Sequence, residues 1–215
     1  FDLPGVEVNT YCSFTPNNNY NTITGIVKYD TNNDGCDSND PNRNNIRIDI
    51  NEGTNHGAAF STDGSYTFYV QTGDFMITPN IENPSWYTIS PATTTVSFTQ
   101  NNNTVTQDFC FAPNGLHSDI EIILTPVITA LPGFDALYKL VYKNKGNQVS
   151  TGTINLIFDD TRTDFISATP TISNQSVNLL SWSYTDLMPL QTRSIDLVLN
   201  LNSPLENPPL IDGSI

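Results

Sequence analysis

The stretch from Tyr29 to Pro41, YDTNNDGCDSNDP, sets oxygen-bearing side chains at Asp30, Asn32, Asp34, Asp37 and Asp40. Counted from Asp30, positions one, three and five are Asp30, Asn32 and Asp34, and position six is Gly35. This is the opening of a calcium loop of the form D-x-[DN]-x-[DN]-G. In such a loop alternate side chains of a tight turn converge on one hard cation, and the glycine permits the sharp bend. Cys36, at position seven, would offer its backbone carbonyl oxygen. Position twelve is Pro41, where the helix-flanked version carries a bidentate glutamate, so Asp37 and Asp40 are the available replacements. The competing reading is that these Asn and Asp side chains only cap their own turns. Crowded carboxylates repel one another when no cation is present, which favours calcium. Such an ion would be structural, tying the strand before the loop to the IRIDI strand (46–50) after it.

Three cysteines, Cys12, Cys36 and Cys110, allow one disulfide and leave one thiol over. A Cys36–Cys110 bridge would pin the acidic loop to the strand pattern TVTQDFCF. Cys12–Cys36 and Cys12–Cys110 are the alternatives, and would fasten the N-terminal lead instead. No CxxC pair exists and the two histidines stand apart, so the spacings fit no zinc pattern.

Other catalytic signatures are missing. There is no G-x-S-x-G nucleophile elbow and no glycine-rich phosphate loop. His56 and His117 lack an evident partner and read as exposed or capping residues. Asp159 and Asp160 are adjacent, and neighbours on a strand point to opposite faces, whereas a glycosidase needs two carboxylates across a cleft. They read as a solvated turn, and the chain is not expected to be an enzyme. Tyr66, Phe68, Phe75, Trp86, Tyr87 and Trp182 could in principle form a sugar-stacking platform. Aromatic residues alternating along strands are more often core or cross-strand pairs, and Trp182 is expected between sheets. In NPSWYTISP, Trp86 and Tyr87 are neighbours, so if both lie in a strand one faces outward.

Eight basic residues against 22 acidic ones give a formal net charge of −14. This balance argues against nucleic acid or an anionic membrane surface as partner. Only 14% of residues are charged, and polarity is carried instead by uncharged side chains, among them 27 Asn. Asn, Thr, Ser and Asp favour turns and exposed strand faces over helix interiors, so helix content should be very low. No apolar run approaches the length that crosses a bilayer, and no membrane insertion is expected. No basic segment is followed by an apolar one in the manner of a signal peptide. Phe1 stands in place of an initiator Met, which leads us to expect a piece of a longer or processed protein with flanking domains.

The elements that must position these residues read as strands almost throughout. TITGIVKY (22–29) runs into the acidic loop. IRIDI puts Ile46, Ile48 and Ile50 on one face and Arg47 and Asp49 on the other. STDGSYTFYV (61–70) has a turn at Asp63-Gly64, and GDFMITP after it suggests a hairpin. WYTIS, TTTVSFT and TVTQDFCF continue the pattern. After APNG, longer apolar strands follow: IEIILTPV, FDALYKLVYKNKG, GTINLIF, NLLSWSYTDL and RSIDLVLNL. The expected organisation is a lead over residues 1–20, a first β-sandwich over 21–113 and a second over 114–215. An immunoglobulin-like sandwich would want a further strand pair, so the expectation is that the second is truncated or that its final strands begin with Ile211 to Ile215 and continue beyond them.

GIVKYDTNNDGCDSNDPNRNNIRIDI followed by STDGSYTFYVQTGDFMITP resembles the prealbumin-like modules of bacterial surface proteins, including adhesin B repeats and carboxypeptidase-regulatory-like domains. From YCSFTP through FCFAPNG to PGFDALYKLVYKNKG the chain resembles large extracellular proteins of gliding bacteria. These often carry leucine-rich repeats upstream and a type IX secretion sorting domain. The second module resembles their immunoglobulin-like conserved-repeat domain. The resemblance implies an all-β chain of two sandwiches, prealbumin-like and then immunoglobulin-like. It implies an extracellular or cell-surface location and a stalk or adhesion role, with an unnamed protein or glycan as ligand. It also implies that an acidic residue late in the loop completes the calcium site. The alternative is a carbohydrate-binding accessory segment of a secreted hydrolase.

Overall fold

The computed structural model describes residues 19–210. Sixteen strands and one 3₁₀ turn make up the regular structure of these residues, as the Asn- and Thr-rich composition requires. The chain divides into two compact units, with the boundary between His117 and Ser118.

The first unit holds β1 (Asn21–Tyr29), β2 (Arg47–Glu52), β3 (Asn55–Phe60), β4 (Ser65–Val70), β5 (Gly73–Asn80), β6 (Tyr87–Ser90), β7 (Thr94–Phe98), β8 (Thr104–Thr106) and β9 (Phe109–Pro113). They form a sandwich of two sheets. One runs β4-β1-β9-β6, with β8 also on β1; the other runs β3-β2-β5-β7. Period-two alternation sends Ile23, Val27 and Tyr29 of β1 inward, to meet Ile48, Tyr66, Phe68, Phe75, Ile77, Phe109 and Phe111. Burying each such side chain contributes about 1.5–3 kcal/mol.

Three local expectations are corrected. GSYTFYV and GDFMITP do not form a hairpin: β4 pairs with β1 and β5 with β2, so the chain changes sheets at Gln71-Thr72. Both strands have one apolar face, and opposing those faces across the core buries more than laying them side by side. TVTQDFCF is two strands, β8 and β9, both parallel to β1. Between them Gln107 comes so close to Gly25 that a Cβ there would lie 1.7 Å from its carbonyl oxygen. Trp86 is not in a strand. It ends the 3₁₀ turn Pro84–Trp86, while Tyr87 opens β6 and is buried. The Asp63-Gly64 turn has both residues at positive φ, 51° and 82°, closed by reciprocal hydrogen bonds between Thr62 and Ser65.

The second unit holds β10 (Ile120–Pro126), β11 (Asp135–Asn144), β12 (Ser150–Ile157), β13 (Thr163–Thr169), β14 (Asn174–Ser176), β15 (Leu179–Leu187) and β16 (Thr192–Leu201). Its sheets run β10-β11-β16-β13 and β12-β15-β14. The core is mainly aliphatic, with Leu140, Leu180, Leu187, Ile195, Leu197 and Leu199 around Trp182, whose indole N–H donates to the carbonyl of Pro170 at 3.1 Å. Asn144 is buried and stitches the 144–148 turn to β15 by donating to Gln148 O and Leu187 O. Cys12, the lead over 1–18 and the strand expected from Ile211 onward lie outside the described residues.

Candidate metal site

The acidic loop begins where β1 leaves the sandwich. Asp30 N–H donates to Phe111 O at 2.8 Å, which extends the β1–β9 pairing by one residue. The return leg is held by Tyr29 N–H to Pro41 O at 3.0 Å and Arg43 N–H to Val27 O at 2.9 Å. A Cys36–Cys110 disulfide, with Cα atoms 5.7 Å apart, fastens the middle of the loop to β9. The loop is therefore closed at its base and pinned at its centre. Asn33 and Gly35 take positive φ, 62° and 100°, to make the turn inside it.

This fold brings Asp30, Asp34 and Asp40 together, with one carboxylate oxygen of each within 4.8 Å of the others. Oxygens that share a calcium ion at about 2.3–2.6 Å can lie as far apart as twice that distance, so the spacing fits one ion. Asp30 and Asp40 are only 2% and 6% exposed, and Asp34 faces solvent. Asp30 accepts hydrogen bonds from the N–H groups of Asn32 (3.2 Å), Asn33 (2.6 Å) and Gly35 (2.8 Å). Asp40 accepts from Thr31 N–H (3.0 Å), Thr31 Oγ1 (3.2 Å) and Asp37 N–H (2.9 Å). A carboxylate offers about four lone-pair sites, so each of these two keeps one for a cation. Hydrogen bonds from the Thr31 and Asp37 backbone hold the Asp40 carboxyl below its ordinary value, against the effect of burial.

Among the described residues no Lys or Arg forms an ion pair with any of the three. Lys28, the nearest base, directs its ammonium to the carbonyl oxygens of Asp37 and Asp40. Buried carboxylates without a counter-ion are costly, and a divalent cation is the species this donor set suits. The other expected ligands are placed differently. Asn32 reaches across to Asp34, its Nδ2 donating to Asp34 Oδ2 at 2.8 Å. Asp37 is exposed and caps Asn39 at 2.7 Å, outside the group of converging carboxylates. Cys36 has its sulfur in the disulfide, which leaves its carbonyl oxygen as the one atom it could offer.

Behind the loop lies a residue that the sequence pattern did not single out. Arg43 is buried, its guanidinium 5.3 Å from the centre of the Tyr29 ring, and its Nε and Nη2 have no hydrogen-bond partner among the described residues. Burial lowers its pKa. Burial likewise pushes the Tyr29 hydroxyl up to about 12, with Arg43 opposing and Asp30 adding to the rise. A lone base in an Asn-rich turn, PNRNN, is the only sequence signal of this cation–π packing. His117 stacks on Trp86 with centroids 4.6 Å apart and planes 6° from parallel.

No family model and no curated protein matches the chain. Among solved structures, it overlaps the major pilin SpaA of Corynebacterium diphtheriae at 9% identity and TM-score 0.31, over 86% of this chain and 59% of that one. It overlaps a DUF3823 family protein from Bacteroides ovatus at 14% identity and TM-score 0.33, over 86% and 83%. A putative carbohydrate binding protein from Bacteroides uniformis gives 11% identity and TM-score 0.31, over 82% and 78%. Overlaps this loose assign neither family nor ligand.

Proposed function

We propose that the chain is a non-catalytic adhesion or stalk segment of an extracellular or cell-surface protein, of the kind secreted by gliding bacteria. Its first unit would be stiffened by one structural calcium ion held by Asp30, Asp34 and Asp40. The observation that carries this reading is the pair of buried carboxylates, Asp30 and Asp40, with no Lys or Arg in an ion pair with either among the described residues, in a loop fastened by a disulfide. A disulfide suits an oxidising, extracytoplasmic setting. No helix of the described residues is long and apolar enough to cross a membrane. A calcium-filled loop would tie β1, the return leg and β9 into one rigid end, which suits a segment that projects its neighbours. Glycan recognition by the same segment is the second reading, favoured by a polar cleft beside the exposed Phe60 on the β3-β2-β5-β7 sheet.

Calorimetric melting of chelator-treated protein, with and without calcium, tests the metal. At one hundred times Kd the ion should stabilise the first unit by about 2.7 kcal/mol. Asp34→Ala should abolish the increase while leaving the fold intact. Among the described residues Asp34, which is exposed, accepts a bond only from Asn32, whereas Asp30 caps three backbone N–H groups and would confound the test. Equal melting with and without calcium in the unaltered protein would reduce the loop to a self-capped turn.

A further inference from the structure

The outward face of β2 carries Arg47, Asp49 and Asn51, while Ile48 and Ile50 point into the core. Register places Phe60 and Asn80 on either side of Arg47, and His56 beside Asn51. Cross-strand partners share a face, with Cβ atoms about 5 Å apart. The result is a shallow cleft of about 280 Å³ lined by Arg47, Asp49, Asn51, His56 and Gly57, close to the lower end of small-ligand sites at about 300 Å³.

Its polar groups are pre-ordered by one another. Arg47 Nε donates to Asp49 Oδ1 at 2.6 Å, and Asn80 Nδ2 donates to Asp49 Oδ2 at 3.0 Å. His56 Nδ1 bonds Asn51 Oδ1. Burial pushes the Asp49 carboxyl up, but the bonds from Asn80 and Arg47 outweigh it and hold it below its ordinary value, so it is ionised. What remains unused, among the described residues, is an alternating set. Both terminal nitrogens of Arg47 are free to donate, each Asp49 oxygen keeps a lone pair, the Asn51 amide nitrogen can donate, and His56 Nε2 is open. The charges of Arg47 and Asp49 cancel, so an ionic ligand gains little here. At the end of the row stands Phe60, 59% exposed.

We infer that this cleft binds a neutral saccharide, with vicinal hydroxyls on the Arg47–Asp49 pair and Asn51 and a C–H face of the ring against Phe60. A sugar hydroxyl donates once and accepts twice, so adjacent hydroxyls match a donor fork set beside a carboxylate. An exposed aromatic ring supplies the apolar contact that a pyranose face requires. The site lies on the β3-β2-β5-β7 sheet, whereas the acidic loop leaves the other sheet. It names a ligand class for the adhesion reading and rests on that reading only for its biological setting.

The test is an NMR titration of the isotope-labelled chain with the methyl glycosides of glucose, galactose and mannose, with N-acetylglucosamine, and with glucuronate as the charged arm. Each is run in calcium and in chelator. We expect saturable shifts confined to residues 47–51, 56–60 and 78–80 with at least one neutral sugar, at millimolar Kd, and weaker binding of glucuronate. Phe60→Ala should weaken binding about fivefold, and Arg47→Ala should abolish it, with the rest of the spectrum unchanged. No localised shift with any neutral sugar at about 50 mM, shifts that survive both substitutions, or tighter binding of glucuronate would each overturn the inference. Sugar shifts that persist in chelator while calcium leaves melting unchanged would count against the metal alone, and the reverse pattern against the sugar alone.

Discussion

Two acidic turns, one in each unit, carry similar residues and differ in everything that makes a site. Between β12 and β13, Asp159 caps its own turn, accepting from Thr161 N–H at 3.1 Å and Thr161 Oγ1 at 2.6 Å, with Arg162 3.8 Å from its other oxygen. It is half-exposed, and Asp160 and Asp164 do not join it in a converging group. In the loop after β1, the same capping chemistry folds Asp30 and Asp40 inward, with Lys28 reaching only the backbone carbonyls of Asp37 and Asp40 rather than pairing with a carboxylate. Self-capping is therefore common to both turns and decides nothing. Burial of two converging carboxylates that no Lys or Arg pairs with is what separates a candidate site from a solvated turn.

The largest expected effect removes the feature only one of the turns has. The disulfide closes a span of 74 residues, and on the chain-entropy model its loss costs about 4 kcal/mol. The paired substitutions Cys36→Ser and Cys110→Ser, made together so that neither thiol is left to pair with Cys12, should lower the melting of the first unit by that amount. The second unit, which has no cysteine, should melt as before. A calorimetric trace in which both transitions fall equally would show that the bridge does not act on the first unit alone.

Acid gives a smaller effect, with a defined sign. The Asp40 carboxyl is held below its ordinary value by the Thr31 and Asp37 N–H groups. A depressed folded value means that its contribution is fully present above the unfolded pKa of about 3.9 and is lost as pH falls through the folded one. The protection of the Thr31 and Asp37 amides, taken relative to their intrinsic exchange at each pH, should hold from neutrality to about pH 4 and fall below it. Protection that is lost already near neutrality would show that the carboxylate does not hold these two groups.

Much of this was legible from local pattern. Period-two alternation marks Ile48 and Ile50 as core and Arg47 and Asp49 as surface, and Asp30, Asp34 and Gly35 stand at loop spacing. What local pattern lacks is partnership. Nothing in GSYTFYV or GDFMITP says that they join different sheets, because pairing is set by distant strands. Asp37 and Asp40 are equivalent in the sequence, and only the return leg at Pro41 to Arg43 turns one in and leaves the other out. Phe60 reaches Arg47 through the β2–β3 register, with twelve residues between them in the chain. Arg43 carries no motif at all, since its role depends on Tyr29 lying beneath it.

A calcium titration of the whole labelled chain followed by NMR tests the metal site most directly. Saturable shifts are expected over residues 29–43 and at Phe111, whose carbonyl receives the Asp30 N–H, with millimolar or tighter affinity. Residues 159–164, acidic but self-capped and beside Arg162, should not move. Absence of saturation at millimolar calcium, or equal shifts at both turns, would contradict the assignment of a metal site to the first.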